Sequence, residues 1–148
     1  MNPMNNRVIL IAEDNPNDVE LTLSALRAHH VANDIVIVSD GAEALDYLYE
    51  RGRFAGRVPG LPAVVLLDLK MPKVDGLEVL QTVKKDERMR RVPVVMLTSS
   101  REEQDLARSY DFGANSYVLK PVGFHAFVDA VKHLGVYWTV HNEAPPAS

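Results

Sequence analysis

At 148 residues, the chain is long enough for one well-buried domain and too short for two ordinary ones. Its 47% hydrophobic and 24% charged residues are typical of a soluble globular protein, while the net charge of −4 argues against a nucleic-acid binder. The absence of cysteine excludes disulfides and thiolate catalysis, and no apolar run suits a membrane span or signal peptide, so we expect a cytoplasmic protein that contacts no membrane.

The first third of the chain predicts two strands, each followed by a helix. Val8–Ala12 is an apolar run that predicts a buried strand, and the acidic pair Glu13-Asp14 follows it directly. Asn15-Pro16 is typical of a helix N-cap with proline at the first helical position. A second strand is predicted over Ile35–Val38, and the capping-box pattern of Asp40–Glu43 starts a second helix.

The middle of the chain contains a long loop and then its most apolar strand. Arg51–Pro62 holds three glycines and two prolines, which predicts a loop longer than most helix–strand connections. Ala63–Leu67 is an unbroken apolar run that suits a strand buried on both faces, and it leads straight into Asp68. Met71-Pro72 prevents the strand from continuing, and Asp75-Gly76 predicts a turn into a third helix.

The last third repeats the alternation of strand and helix. A fourth strand is predicted over Val92–Leu97, and the capping box of Ser100–Glu103 opens a helix that ends near Phe112-Gly113. Ser116–Leu119 predicts a short fifth strand, and apolar residues at helical spacing predict a last helix over 124–138. Five such alternations predict an α/β fold, with a parallel sheet covered by helices on both faces.

Polar side chains follow four of the predicted strands. Glu13 and Asp14 follow the first strand, Asp68 the third, Thr98 the fourth and Lys120 the fifth. Because the carboxyl ends of parallel strands meet at one edge of a sheet, we expect these side chains to converge. Three carboxylates that close repel one another unless a cation joins them, and Mg²⁺ is a hard ion that prefers such oxygen ligands.

Residues Asp68–Gly76 read DLKMPKVDG and resemble the phosphoacceptor motif of bacterial response-regulator receiver domains, Asp-x-x-Met-Pro-x-x-Asp-Gly. Three further family marks stand in order: Glu13-Asp14-Asn15, Thr98 and Lys120-Pro121. The resemblance covers Val8 to Val136. It implies a doubly wound, flavodoxin-like receiver fold with five parallel strands in the order 2-1-3-4-5. We expect a receiver domain over 7–140, flexible tails at 1–6 and 141–148, and no output domain.

The same resemblance implies a role for each residue of the site. Asp68 would accept a phosphoryl group from a kinase phosphohistidine and become an aspartyl phosphate. Glu13, Asp14, Asp68 and the backbone carbonyl of Lys70 would bind Mg²⁺. Lys120 would neutralise negative charge on the transferring group.

A conformational switch and two details of the loops are also implied. Thr98 would move toward the phosphoryl group, and Tyr117 would turn inward behind it. The peptide bond before Pro121 is expected to be cis. Lys70, two residues past the phosphoacceptor, would crowd the water that hydrolyses the acyl phosphate. Ser99 stands where most receivers have alanine, which predicts a difference in access for the phosphodonor.

Within the family, the sequence is most similar to single-domain regulators paired with phytochrome-type histidine kinases. The long loop before Asp68, the tyrosines from Tyr110 to Tyr117, and Tyr137-Trp138 carry this likeness. It implies a bacteriophytochrome kinase as partner and a homodimer through the fourth helix, fifth strand and fifth helix. The protein would be a signalling protein rather than an enzyme, acting by protein contact or onward phosphate transfer.

Three other functions remain as alternatives. One alternative is a receiver for a kinase that is not a phytochrome. A phosphatase of the haloacid dehalogenase class also uses a strand-end aspartate, but it needs a second aspartate two residues later, where Lys70 stands. A flavodoxin-like flavin carrier needs a hydroxyl-rich phosphate loop after the first strand, where Glu13 and Asp14 would repel phosphate.

Overall fold

The computed structural model of the chain describes residues 8–28, 33–110, 113–114, 116–120 and 122–131. The strands within these residues are Val8–Ala12 (β1), Asp34–Val38 (β2), Val64–Asp68 (β3), Val94–Thr98 (β4) and Ser116–Leu119 (β5). The α-helices are Pro16–Ala28 (α1), Gly41–Leu48 (α2), Gly76–Lys85 (α3), Arg101–Tyr110 (α4) and Phe124–Val131 (α5). None of these helices is both long and apolar enough to cross a membrane.

The strands form one parallel sheet in the order β2-β1-β3-β4-β5, which confirms the predicted receiver topology. The register places Ala12 beside Leu67, and Asp68 beside Leu97. All the strands therefore end at one edge of the sheet. Glu13, directly after β1, and the last residues of β3 and β4, Asp68 and Thr98, are brought together there.

Two apolar layers cover the two faces of the sheet. On one face, alternate strand residues such as Leu10 and Met96 pack with residues of α2, α3 and α4. On the other face, Ile9 and Leu97 pack with Leu26 of α1 and Phe127 of α5. Every residue of β3 and β4 is buried, which explains why both strands read as unbroken apolar runs. Burying one such large side chain stabilises the fold by roughly 1.5–3 kcal/mol.

The predicted helix caps are all formed. Asn15 Oδ1 accepts hydrogen bonds from the backbone N–H groups of Asn17 and Asp18, at 2.9 and 3.2 Å. Glu43, Glu78 and Glu103 donate their backbone N–H groups to the side chains of Asp40, Asp75 and Ser100, which cap α2, α3 and α4. These caps fix where each helix leaves the functional edge of the sheet.

The bounds of three strands differ from the sequence prediction: β3 is Val64–Asp68 rather than Ala63–Leu67, β4 ends at Thr98 rather than Leu97, and the starts of β2 and β4 also differ. β4 begins at Val94 rather than Val92, because Pro93 has no N–H to donate to a neighbouring strand. β2 begins one residue earlier than predicted, at Asp34. The predicted extension of the last helix to Trp138 lies outside the described residues, as do both predicted tails.

The long loop before β3 is organised by Arg57. Its guanidinium donates hydrogen bonds to the carbonyl oxygens of Tyr47, Val58 and Gly60, at 2.8, 2.6 and 3.2 Å. It also lies 4.0 Å from the centroid of the Tyr47 ring, in a cation–π contact. A short 3₁₀ turn, Gly52–Phe54, places Phe54 edge-on against the same ring. The loop is therefore packed onto α2 rather than extended into solvent.

Candidate functional site

Three carboxylates meet at the carboxyl edge of the sheet. One oxygen each from Glu13, Asp14 and Asp68 lies within 4.8 Å of the others. Glu13 and Asp68 are both only 3% exposed, whereas Asp14 is exposed. The predicted convergence of these carboxylates is therefore present. Clustered carboxylate oxygens with one side open to solvent suit a hard divalent cation that keeps some of its waters.

Lys120 reaches into this cluster from the end of β5. Its backbone N–H bonds to the carbonyl of Thr98 at 2.8 Å, which extends the strand pairing and directs the residue toward the site. The side-chain Nζ lies 3.1 Å from Glu13 Oε1, 3.2 Å from Asp68 Oδ1 and 3.2 Å from Asp18 Oδ2. The ammonium donates a hydrogen bond to Glu13 and forms ion pairs with Asp68 and Asp18, so three carboxylates share its charge.

The excess of negative charge determines where protons sit. Burial raises the pKa of Asp68 to about 7, and the nearby charge of Glu13 adds to this rise, while Lys120 opposes it. Burial lowers the pKa of Lys120, but the charges of Asp68, Glu13 and Asp18 outweigh burial, so that its net shift is upward. Lys120 is therefore a permanent ammonium, and Asp68 exchanges a proton near neutral pH. A divalent cation bound here would displace that proton.

The loop between β3 and α3 is held closely against its neighbours. A Cβ at Gly76 would overlap the carbonyl oxygen of Asp68, and a Cβ at Gly41 would overlap the carbonyl oxygen of Val74. Only glycine therefore lets the backbone approach at these two points. Lys73 adopts a φ of +67°, a left-handed conformation that is rare for residues with a side chain.

Two lysines of this loop reach acidic residues at the starts of α2 and α4. Lys73 Nζ lies 3.5 Å from Asp40, which caps α2, and Lys70 Nζ lies 3.4 Å from Glu103 in the first turn of α4. Glu103 also accepts a hydrogen bond of 2.8 Å from the backbone N–H of Ser99. Glu103 thus links the loop after β3 to the loop after β4. The expected metal-binding role of the Lys70 carbonyl stays a prediction.

The two predicted switch residues lie on the β4–β5 side of the site. Thr98 is fully buried, and its hydroxyl is 3.5 Å from the carbonyl oxygen of Val118. Tyr117 is half-buried among the residues that pack with α2, α3 and α4, and the Arg108 guanidinium lies 4.7 Å from its ring centroid. The switching roles of both residues stay predictions. Pro121, with its expected cis peptide bond, lies outside the described residues.

Asp18 is the member of the site that the sequence did not reveal. In the sequence it is a carboxylate in the first turn of a helix, where acidic residues are common for reasons of helix stability. Its partner Lys120 is distant in the chain, and only the sheet order brings the two together. The available signal was its position one helical turn past Asp14, at the same edge of the sheet.

Comparison with known proteins places this geometry in a family. Residues 9–132 match the family model described as the response regulator receiver domain. The chain is 42% identical, over 140 residues, to the probable methanogenesis regulatory protein FilR2 of Methanothrix harundinacea, covering 93% of this chain and 87% of FilR2. It is 33% identical to the response regulator Rcp1 of Synechocystis, covering 95% of each protein.

Solved structures agree with the sequence comparison. The bacteriophytochrome response regulator AtBRR is similar with a TM-score of 0.87 and 60% identity, covering 93% of this chain and 98% of AtBRR. The Mn²⁺-bound form of Rcp1 is similar with a TM-score of 0.71 and 30% identity, covering 95% of this chain and 99% of that one. The likeness to regulators of the phytochrome group, expected from the sequence, is confirmed. The chain belongs to the response regulator receiver domain family.

Proposed function

We propose that this chain is a response regulator of a two-component phosphorelay that accepts a phosphoryl group on Asp68. One observation carries the proposal: the Asp68 carboxyl is buried at a strand end, beside two further carboxylates and 3.2 Å from the Lys120 ammonium. A carboxylate so placed can act as a nucleophile toward phosphorus, while the ammonium balances charge on the transferring group. Thr98 is assigned as the hydrogen-bond donor to the phosphoryl group, and Tyr117 as its switch partner.

The proposed reaction is a transfer between two side chains. A deprotonated Asp68 oxygen attacks the phosphorus of a phosphohistidine, the P–N bond breaks, and the imidazole of the kinase leaves with its electron pair. Mg²⁺, held by Glu13, Asp14, Asp68 and the Lys70 carbonyl, would supply further positive charge to the transferring group. The Mn²⁺-bound form of Rcp1 supports a divalent cation as the cofactor.

The proposed kinase partner is a bacteriophytochrome. The similarity to AtBRR, which is described as a bacteriophytochrome response regulator, supports this choice. FilR2, whose name points to methanogenesis, supports the alternative of a kinase that is not a phytochrome. We assign residues 7–140 to one receiver domain that acts in the cytoplasm. It turns over no external substrate, and its chemistry is limited to its own phosphorylation and dephosphorylation.

The central test uses transfer from a phosphorylated kinase. A bacteriophytochrome histidine kinase labelled with radioactive ATP should pass its label to wild type within minutes and only when Mg²⁺ is present. Asp68→Asn should accept none, because the nucleophilic oxygen is lost while the shape of the side chain is kept. Asp75→Asn is the matched control, because Asp75 caps α3 and is not a member of the carboxylate cluster of Glu13, Asp14 and Asp68. Undiminished labelling of Asp68→Asn would contradict the proposal.

A homodimer through α4, β5 and α5 is also proposed. An open groove of about 390 Å³ lies on this face, lined by residues of all three elements, including Arg101, Tyr117 and Ala126. Leu106 of α4 is 58% exposed, which leaves apolar surface for a partner to cover. Tyr137 and Trp138, which the sequence assigns to the same contact, lie outside the described residues.

Sedimentation tests the dimer. We expect wild type to sediment as a dimer at micromolar concentration, and the double variant Tyr137→Ala, Trp138→Ala to shift toward monomer. The exposed leucine of α1, Leu21→Ala, serves as a control on a different face of the molecule and should leave the dimer intact. A wild type that sediments as a monomer would overturn this assembly.

A further inference from the structure

The Lys120 ammonium is surrounded by as many carboxylates as it has N–H donors. It donates a hydrogen bond to Glu13 Oε1 at 3.1 Å, and it forms ion pairs of 3.2 Å with Asp68 Oδ1 and Asp18 Oδ2. Phosphorylation would turn the Asp68 carboxylate into an acyl phosphate, so the contact of Lys120 with Asp68 would pass to a phosphoryl oxygen. The ammonium can turn a further N–H toward the phosphoryl group only by leaving Glu13 or Asp18. The identity of the carboxylate that leaves therefore affects the stability of the phosphorylated state.

Exposure distinguishes the two carboxylates that remain. The side chain of Glu13 is 2% exposed, whereas that of Asp18 is 25% exposed. A buried carboxylate that loses its cation cannot be hydrated in its place, so its charge stays uncompensated. A partly exposed carboxylate regains water instead. Asp18 is therefore the partner that Lys120 gives up at the lowest free-energy cost.

The position of Asp18 in α1 lowers that cost further. Its backbone N–H is fixed by the Asn15 cap at 3.2 Å, and its carboxylate lies in the first turn of the helix. Negative charge is favourable at a helix N-terminus, so Asp18 stays stabilised after Lys120 has moved away. The first turn of α1 thus offers the ammonium a resting partner that can release it.

We propose that Asp18 is a positioning residue that competes with the phosphoryl group for the Lys120 ammonium and so weakens the phosphorylated state. This inference rests on the proposed function. In the resting protein, Asp18 draws the ammonium toward α1, and in the phosphorylated protein that bond is exchanged for one to a phosphoryl oxygen. Removing the Asp18 carboxylate removes the competitor, so the phosphorylated state becomes more stable.

The test measures binding of beryllofluoride, a phosphoryl analogue that adds to an aspartate oxygen, by calorimetry in excess Mg²⁺. Asp18→Asn should bind it about three- to five-fold more tightly than wild type, the factor expected for loss of one partly exposed ion pair. Asp18→Glu restores the charge and should return the affinity toward the wild-type value. Glu20→Gln makes the same charge change on an exposed residue of α1 and should leave the affinity unchanged.

Three results would each overturn a claim, and they separate the positioning role from the proposed function. If wild type binds beryllofluoride but Asp18→Asn gains no more than Glu20→Gln, the positioning role is wrong and the proposed function stands. If Asp18→Asn binds more weakly, Asp18 assists the phosphoryl group rather than competing with it, which also overturns the inference. If wild type itself binds no beryllofluoride, the proposed function fails and the positioning role fails with it. Equal unfolding midpoints for the variants show that each one is folded.

Discussion

Arg57 and Lys120 are two half-buried cations held in opposite ways. Arg57 donates to three backbone carbonyls and stacks on the Tyr47 ring, so every one of its partners is neutral and fixed. Lys120 pairs with three carboxylates, and one of them, Asp68, can take a proton, a metal ion or a phosphoryl group. The first arrangement can only hold a loop in place. The second can change its partners, which is what a phosphoryl-transfer site requires.

This difference also separates a residue that affects folding stability from one that affects the phosphorylation reaction. Removing Arg57 leaves carbonyl groups without a donor but alters no charge at the functional edge. Removing Lys120 leaves carboxylates without their cation at the place where the phosphoryl group arrives. Substitutions of the two cations should therefore show their effects in different assays, one of stability and one of phosphorylation.

Substitution of Lys120 gives the largest expected effect. Lys120→Met keeps the aliphatic part of the side chain and removes the charge that balances the transferring group. We expect phosphorylation by acetyl phosphate and Mg²⁺, followed by intact-protein mass spectrometry, to slow by about 100-fold or more. A rate close to that of wild type would show that the ammonium is a structural ion pair only.

The matched substitution at the other cation is Arg57→Met. It should lower the free energy of unfolding by about 2 kcal/mol, because the three carbonyls lose their donor and the ring loses its cation. Urea unfolding measures this change. The phosphorylation rate should stay within about two-fold of wild type, since no charge at the site has changed. A large loss of rate would mean that the loop before β3 is coupled to the site.

The next prediction concerns the pH dependence of the unfolding free energy in the presence of a chelator. The pKa of Asp68 is raised from 3.8 to about 7 in the folded protein, so the folded state keeps a proton that the unfolded chain releases. The stability that this proton provides is complete below about pH 4 and is lost as pH rises to about 7. The unfolding free energy of wild type should thus fall relative to that of Asp68→Asn by on the order of 2 kcal/mol between about pH 5.5 and 8.

Two controls sharpen the pH experiment. Added Mg²⁺ at the higher pH should restore stability, because the cation takes the place of the proton. Arg57→Met should shift the whole curve downward and keep its slope, because its contacts do not titrate in this range. Parallel curves for wild type and Asp68→Asn would contradict the raised pKa.

Lys70 gives the smallest expected effect. Its ammonium pairs with Glu103 at 3.4 Å and is largely exposed, so its influence on the phosphoryl group depends on leaving that pair. We expect Lys70→Ala to change the rate of autodephosphorylation several-fold, a barrier change on the order of 1 kcal/mol. Decay of the labelled phosphoprotein measures it, and Lys73→Ala in the same loop is the control. Unchanged decay would show that Lys70 acts only through Glu103, or not at all.

The sequence predicted the fold well because its signals are local. Strands buried on both faces read as unbroken apolar runs, as in β3, and the capping residues Asn15, Asp40, Asp75 and Ser100 mark helix starts by chemistry that acts within four residues. The start of β4 was misplaced because Val92 is apolar and buried although it precedes the proline. Apolar character alone does not distinguish a strand from the buried residues that precede it.

The site was predicted in outline and not in its contacts. Parallel strands end at one edge, so the convergence of Glu13, Asp14 and Asp68 follows from topology alone. The ion pair between Asp18 and Lys120 depends on side-chain reach across two secondary-structure elements, and the sequence signals it only through the position of Asp18 one helical turn past Asp14. The linking role of Glu103 was hidden for the same reason, since only its local capping role is visible in the sequence.

The central claim to test is that Asp68 is the phosphorylated residue of a metal-dependent site. Intact-protein mass spectrometry after treatment with acetyl phosphate should show one added phosphoryl group on wild type with Mg²⁺ and none with a chelator. Asp14→Asn should need about ten-fold more Mg²⁺ for the same extent, because one charged ligand is lost. Asp68→Asn should gain no mass under any of these conditions. A phosphoryl group on Asp68→Asn, or full phosphorylation of wild type in chelator, would contradict the account.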